Sequence, residues 1–438
     1  MARSSGTVSG SLGRAAFGEY RIAGRSMETG GWKKELTYFV GSGATARSYL
    51  IAADGFLFEA PVAYYSLTKK WALAPGYERY GYPYVTRPIQ PGCLTCHASS
   101  LQPTANTQNG YRAPPFLEGG VACERCHAKT ATHYANPAKL AADRRDSICA
   151  QCHLSGEARV MHAGTNWQTY HPGDRLSDST TVFVRVGGST MQVTSHVENL
   201  AQSRCKQVSG DRLWCGTCHD PHGAPDAAAI ERTCQSCHAC KTKQIARCIE
   251  CHMQKSPVGD AQHVVYTDHS IPVRPRASKP PSKDAEFVVF GGGKPSPRDL
   301  GLAYAIAGQP DRARLLLESA PLDRDPEAQV YLAEIYRNAG DIARAAPLYE
   351  RALAADPAEV TAMVGLGAIR FQQQRDAEAI RLWSDALSRN PGLDLTRTNL
   401  AMAQWRSGDR AGAQATLRKG LELSPGFRPA IDLLQRLK

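Results

Sequence analysis

The period of apolar and polar positions changes several times along the chain. Over residues 35–85, the stretches ELTYFVGSG, ARSYLIAADGFLFEAPVAYYS and KWALAPGYERY are dense in Tyr, Phe and Val. They predict strands, with Asp54-Gly55 as a hairpin turn. Residues 86–270 show little long periodicity and are frequent in Pro, Gly and His. Such a stretch has too few aliphatic residues for an ordinary core, so something else must supply apolar bulk. Residues 271–295, IPVRPRASKPPSKDAEFVVFGGGKP, read as a Pro/Gly/Lys linker. Residues 1–34 are rich in Gly, Ser and Arg and read as a flexible or incomplete start.

From Ser296 onward the pattern is helical and repeats. Leu332, Ala333, Tyr336, Gly340, Ala345, Tyr349, Ala352 and Pro357 fit the 34-residue tetratricopeptide pattern. Leu366, Gly367, Ala379, Trp383, Ala386 and Pro391 repeat it, as do Leu400, Ala401, Gly408, Ala413, Leu421 and Pro425. Leu300, Gly301, Tyr304, Gly308, Ala313 and Leu317 begin a partial first copy. Small residues let the paired helices approach, and the Pro ends the second helix of each pair. A closing helix over 430–437 caps the stack.

Hydrophobic residues make up 42% of the 438 and charged residues 21%, ordinary for a globular chain. No run of about 18 apolar residues predicts a membrane-spanning helix. The outlier is cysteine: all 14 fall between Cys93 and Cys251. Twelve of them form six C-x-x-C-H motifs: Cys93/Cys96/His97, Cys123/Cys126/His127, Cys149/Cys152/His153, Cys215/Cys218/His219, Cys234/Cys237/His238 and Cys248/Cys251/His252. This is the signature of covalent c-type haem attachment. Cysteines at i and i+3 share one face of a helical turn and reach the two vinyl groups of one porphyrin. The His at i+4 stacks above the first Cys and reaches the iron. Zinc knuckles and a disulfide scaffold also use C-x-x-C pairs, but neither requires the following His. Six coincidental histidines have a chance on the order of 10⁻⁹. Cys205 and Cys240 are left over; Cys205 reads as packing, and Cys240 is undecided.

Each iron needs a second axial ligand or stays open. The other histidines are His133, His162, His171, His196, His222, His263 and His269. Position and context favour His133, His196, His222, His263 and His269 as second ligands over His162 and His171. Two imidazoles give low-spin iron that changes oxidation state with little geometric change. No histidine precedes His97, so the N-terminal strands offer no imidazole.

The formal charge is +11, and 33 of the 52 basic against 23 of the 41 acidic residues lie in 1–295. Nucleic acid is the usual partner of such a basic half. Six haems carrying about −1 to −2 each would offset roughly six to twelve of those charges, so propionate neutralisation is the preferred reading and nucleic acid is not expected. Thioether attachment occurs outside the energy-transducing membrane, which predicts a periplasmic or cell-surface protein; the missing leader reads as an incomplete start.

At RSYL (47–50), WALAPGYE (71–78), CLTCHA, CERCHAKTATH, ICAQCHLSGEARV, SRCKQVSGDRLWCGTCHDPHG, CIECHM and YTDHSIPVRP, the chain resembles the doubled-CxxCH multihaem cytochromes that carry tetratricopeptide repeats, related to the nitrification-type tetrahaem cytochromes. The resemblance covers most of 35–275. It implies parallel and perpendicular haem pairs, and His222 and His269 as distal ligands. Family members usually open with a further haem motif and a ligand His upstream, both missing here; His162 and His171 match no fixed family ligand.

The expected architecture is mainly α: a small β region at 35–85, a hexahaem domain at 86–270 with little regular structure, a linker at 271–295 and an α-solenoid at 296–438. The expected function is electron transfer through six covalent haems, with the repeats docking a redox partner protein, a neighbouring copy or a larger cytochrome assembly. The alternative is a multihaem oxidoreductase with one open iron, acting on a small nitrogen or sulfur compound.

Overall fold

The computed structural model describes residues 4–30, 32–78, 80, 84–128, 135–187, 191–223, 226–237, 248–261, 263–273 and 282–437. They fall into two units, one made of Ser4–Gly119 with Gly308–Lys438, the other of Gly120–Ala307.

In the first unit, strands Ser5–Thr7, Tyr38–Val40, Ala46–Ala53, Phe56–Tyr65 and Arg87–Pro88 form an antiparallel sheet in that order, and Lys70–Leu73 also pairs with Phe56–Tyr65. Asp54 and Gly55 have φ of 50° and 81°. Both central residues are left-handed, as the predicted two-residue hairpin requires. The Ala46–Ala53 strand is covered on both faces: Tyr49 and Ile51 join Ile22, Met27, Leu36 and Val62, while Leu50 joins Leu57, Leu94, Tyr111 and Phe116. Burial on both faces explains why this segment reads as a near-continuous apolar run.

The expectation of a flexible start does not hold. Arg14–Phe17, Tyr20–Ala23, Ser26–Thr29 and Trp32–Glu35 form a four-stranded meander. Gly18, Gly24 and Gly30, with φ of 52°, 63° and 56°, open its two-residue turns. Ile22 and Met27 are buried in the core, so apolar burial fixes the segment. The β region is also larger than 35–85, since a hairpin of Ala98–Pro103 and Tyr111–Gly119 belongs to the same unit.

The repeats follow the predicted pattern as antiparallel pairs: Pro326–Asn338 with Ile342–Ala355, Val360–Gln372 with Asp376–Arg389, and Asp394–Arg406 with Arg410–Leu423, closed by Arg428–Arg436. A Cβ on Gly365 would come within 2.3 Å of the Tyr349 ring, and one on Gly367 within 2.5 Å of Trp383 Nε1. These glycines permit the close helix approach. The link from the second pair to the third is seated on the β region. Gln108 N donates to Arg389 O (3.0 Å), Asn390 Nδ2 to Gln108 Oε1 (2.6 Å), and Thr86 Oγ1 to Asp394 Oδ2 (2.8 Å). A Cβ on Gly392 would meet Phe58 and Thr86 at 2.7 Å. Repeats and β region therefore form one body rather than a domain with a detachable arm.

The second unit holds more regular structure than expected. Ala158–Met161, Thr180–Arg185 and Phe287–Val289 form an antiparallel sheet. The predicted linker thus contributes a strand, because Phe287 is buried, with its ring 4.8 Å from Tyr304. Tyr304 lies on helix Pro297–Ile306, which belongs to this unit, so the boundary falls after Ala307 rather than before Ser296. Helix Ala142–His153 supplies Ala150, which packs with Leu154, Tyr170, Leu176 and Val182. Among the described residues, no helix is long and apolar enough to cross a membrane.

Candidate functional site

Local sequence builds each motif into a helical turn. Cys93 lies in helix Pro91–Thr95, started by Pro91 and anchored by buried Leu94, with Cys96 as its C-cap. Cys123 opens the 3-10 turn Cys123–Arg125. Cys149, Cys152 and His153 end helix Ala142–His153, and Cys234 and Cys237 end Ala227–Cys237. Cys215–Cys218 and Cys248–His252 are short helices of their own. His127 N donates to Cys123 O at 2.8 Å and His219 N to Cys215 O at 2.9 Å. These i+4 bonds put both thiols and the imidazole on one turn, the arrangement that vinyl attachment and iron ligation need together. His238, His133 and Cys240 lie outside the described residues.

The first motif departs from the expected 86–270 domain. Cys93, Cys96 and His97 belong to the unit of the β region and repeats, because Leu94 closes the core of Leu50, Leu57 and Phe116. The other five motifs begin in the second unit.

In the second unit, three further histidines face motif histidines. The ring centroids of His127 and His222 lie 5.8 Å apart, with 20° between their planes. His219 and His269 lie at 6.2 Å and 32°. His153 and His196 lie at 4.8 Å and 82°. An iron bonded to two imidazole nitrogens at about 2 Å each puts the ring centroids about 6 Å apart. The first two pairs have that spacing; the third is tighter, and His196 is also 4.8 Å from His269.

Tautomers support the same reading. Nδ1 of His127 donates to Ala135 O (2.8 Å), Nδ1 of His252 to Pro272 O (2.9 Å) and Nδ1 of His269 to Thr267 O (2.7 Å). A carbonyl only accepts, so Nδ1 carries the proton and Nε2 carries the lone pair, the tautomer in which Nε2 ligates a metal. Burial lowers the pKa of His97 and His269, and that of His196 to about 3, with His153 and His269 adding to it. Neutral imidazole is the ligating form. Nδ1 of His196 is buried without a hydrogen-bond partner.

The two histidines set aside behave differently. His162 engages both nitrogens within the protein, Nδ1 at 3.1 Å from Asp178 O and Nε2 at 2.8 Å from Thr181 Oγ1. His171 is 77% exposed beside Asp174. His263 sits exposed in the turn before Val265–Thr267, at φ 59°.

No disulfide joins any two of the described cysteines. The thiols of Cys149 and Cys215 act on each other, which raises the pKa of Cys149 and lowers that of Cys215. Half-buried Cys205 adds to the burial that raises Cys218 and Cys234. Beside the fourth motif, Trp214, Cys218, His219, Pro221, Ala229 and Thr233 line an open recess of about 370 Å³. That open recess, lined by Cys218 and His219 of one attachment turn, suits one face of a large, flat, iron-bearing group. Among the described residues, no three or more His, Cys, Asp or Glu form a metal cage; a haem iron takes two protein ligands.

Comparison with known proteins matches the repeats. A tetratricopeptide repeat family matches residues 331–394, and a second matches 396–427. Similar solved structures include MamA (22% identity, 30% of this chain and 72% of that one, TM-score 0.28). YrrB, described as a TPR protein with an unusual peptide-binding site, has 15% identity over 32% of this chain and 73% of its own, TM-score 0.29. The pilF protein of Pseudomonas aeruginosa has 23% identity over 32% of this chain and 65% of its own, TM-score 0.29. No curated protein matches the chain.

Proposed function

We propose that this chain is a multihaem c-type cytochrome that carries six covalent haems and transfers electrons. The observation that carries the reading is the pairing of motif histidines with further histidines, added to six C-x-x-C-H motifs whose described cysteines sit on helical turns. Cys93/Cys96, Cys123/Cys126, Cys149/Cys152, Cys215/Cys218, Cys234/Cys237 and Cys248/Cys251 would hold the porphyrins through thioethers. His97, His127, His153, His219, His238 and His252 would hold the irons from one side. His222 would serve opposite His127, His269 opposite His219, and His196 opposite His153. When bound, such a group supplies one-electron redox chemistry. The protein's own part is to keep imidazoles neutral by burial, fix their tautomers through backbone carbonyls, and exclude a change of ligand geometry on reduction.

The repeats support a second element of the proposal, the docking of a redox partner protein, since repeat arrays present extended binding surfaces. Thioether chemistry places such a protein in the periplasm or at the cell surface. A pyridine haemochrome assay with intact mass on the matured protein tests the core claim. Six covalent haems are expected; a colourless sample with the bare polypeptide mass would end it.

A further inference from the structure

A carboxylate–guanidinium pair, its acid mostly covered and its cation part-exposed, stands beside the first attachment turn, and nothing above uses it. Glu59 Oε2 lies 3.1 Å from Arg87 Nη1, with the two side chains 13% and 37% exposed. Arg87 and Glu59 are directly opposed in the ladder between Arg87–Pro88 and Phe56–Tyr65. From Arg87 the chain runs into helix Pro91–Thr95, which carries Cys93.

The groups around Glu59 come from several elements. Tyr77 donates its hydroxyl to Glu59 O at 2.7 Å, and Arg87 lies over its ring at 5.4 Å. Tyr65 lies on the same strand as Glu59 and feels its charge, as does Cys93. Arg87 is the cation facing it. Burial pushes the Glu59 carboxyl up to about 7, with Arg87 pulling the other way. The acid is thus poised to change charge near neutrality, close enough to the attachment turn for Cys93 to feel its charge.

We propose that Glu59 couples the arrival of an electron at the Cys93–His97 haem site to the uptake of one proton. The proposal rests on the haem reading of that motif. One electron from a one-electron donor adds one negative charge at this turn. Glu59 answers by taking one proton from solvent onto a carboxylate oxygen, so the local net charge is unchanged. Arg87, released from neutralising the carboxylate, then faces the added negative charge. Departure of the electron reverses both transfers. The sign follows: added negative charge raises the Glu59 pKa, so the electron is held less tightly as pH rises above about 7, until Glu59 is ionised in both states.

The test is a redox titration of the full haem-loaded chain from about pH 6 to about pH 9, set against Glu59→Gln. One of the potentials should fall with pH in the native chain, by up to tenfold in the equilibrium constant per unit, or 59 mV for one electron, and lose that slope in Glu59→Gln. Independently, redox-difference infrared spectra of the native chain should show a carboxylic-acid C=O band on reduction. It should stay in place when the haems alone are labelled from ¹³C-δ-aminolevulinate, a treatment that moves the propionate bands. An unchanged set of slopes in folded Glu59→Gln overturns the proposal; if that variant fails to fold, absence of such a haem-independent band from the native chain does so. A Cys93–His97 peptide of bare mass in a digest removes instead the haem reading at this motif, and the proposal with it.

Discussion

The imidazoles of His219 and His269 lie 6.2 Å apart with their planes at 32°, although one ends an attachment turn and the other follows a strand of a separate hairpin. The backbone fixes His269: its Nδ1 donates to Thr267 O, so Nε2 is the free nitrogen. His269→Ala removes the imidazole opposite His219 without touching a thiol. The matured variant should keep its full haem mass, while one haem turns from low-spin to high-spin in the EPR spectrum and gains CO binding when reduced. His162→Ala is the control, since both ring nitrogens of His162 are engaged by Asp178 and Thr181. A low-spin spectrum untouched in folded His269→Ala would rule out the assignment.

The mutual influence of the Cys149 and Cys215 thiols yields a chemical test of attachment. In chain made without haem, mild oxidation should cross-link Cys149 to Cys215, because the two thiols are near enough to shift each other's pKa and the lowered Cys215 favours the attacking thiolate. In matured protein the same treatment should leave them uncross-linked, because thioether sulfurs cannot form a disulfide. Peptide mapping by mass reads both results. Equal cross-linking before and after maturation would mean that these two cysteines carry no porphyrin.

What the sequence revealed follows the range of the interactions involved. The helical repeats were legible because each pair is set by neighbours one period away, and Asp54-Gly55 because a two-residue turn is local. The N-terminal meander was hidden behind its Gly and Ser content. Its signal was nevertheless present: Gly18, Gly24 and Gly30 recur every six residues, and Tyr20, Ile22 and Met27 are buried between them. The strand Phe287–Val289 was invisible within a Pro/Gly-rich segment because its partner, Thr180–Arg185, is distant in sequence, and pairing of that kind depends on context rather than propensity. The motif cysteines were legible, but the membership of Cys93–His97 in the β unit was not, since it depends on Leu94 entering a core built from Leu50, Leu57 and Phe116.

Gln374 occupies the position that Gly340 and Gly408 hold in the neighbouring repeats, and it takes the same left-handed conformation at φ 60°, against 80° and 93°. An L side chain there costs about 1–2 kcal/mol, part of which glycine returns through the freedom it adds to the unfolded chain. Gln374→Gly should therefore stabilise the repeats by about 0.5–1 kcal/mol, seen as a higher denaturant midpoint with an unchanged slope. A lower midpoint would show that the Gln374 side chain contributes more than its backbone costs.

Asp394 gives the body of repeats and β region a pH dependence of predictable sign. Its carboxylate is buried at the seat of the repeat link, where it accepts from Thr86 Oγ1 at 2.8 Å. Burial raises its pKa to about 6, with the Thr86 hydroxyl and Arg397 pulling it back. The unfolded chain ionises this group near the ordinary Asp value of about 3.9, so between about pH 4 and about pH 6 the folded state binds the extra proton. Stability contributed here is complete below that window, falls as pH rises through it, and levels off above about 6, a loss of up to about 3 kcal/mol. Asp394→Asn retains an oxygen acceptor for Thr86 and carries no charge to bury. The variant should be the more stable protein at neutral pH and should lack this slope, whereas Thr86→Val should lose about 1 kcal/mol and keep it. Urea unfolding across the window, followed in the transition of this unit, distinguishes the two. Parallel pH profiles for native chain and Asp394→Asn would show that the carboxylate is ionised at no cost and that the Thr86 contact is an ordinary surface bond.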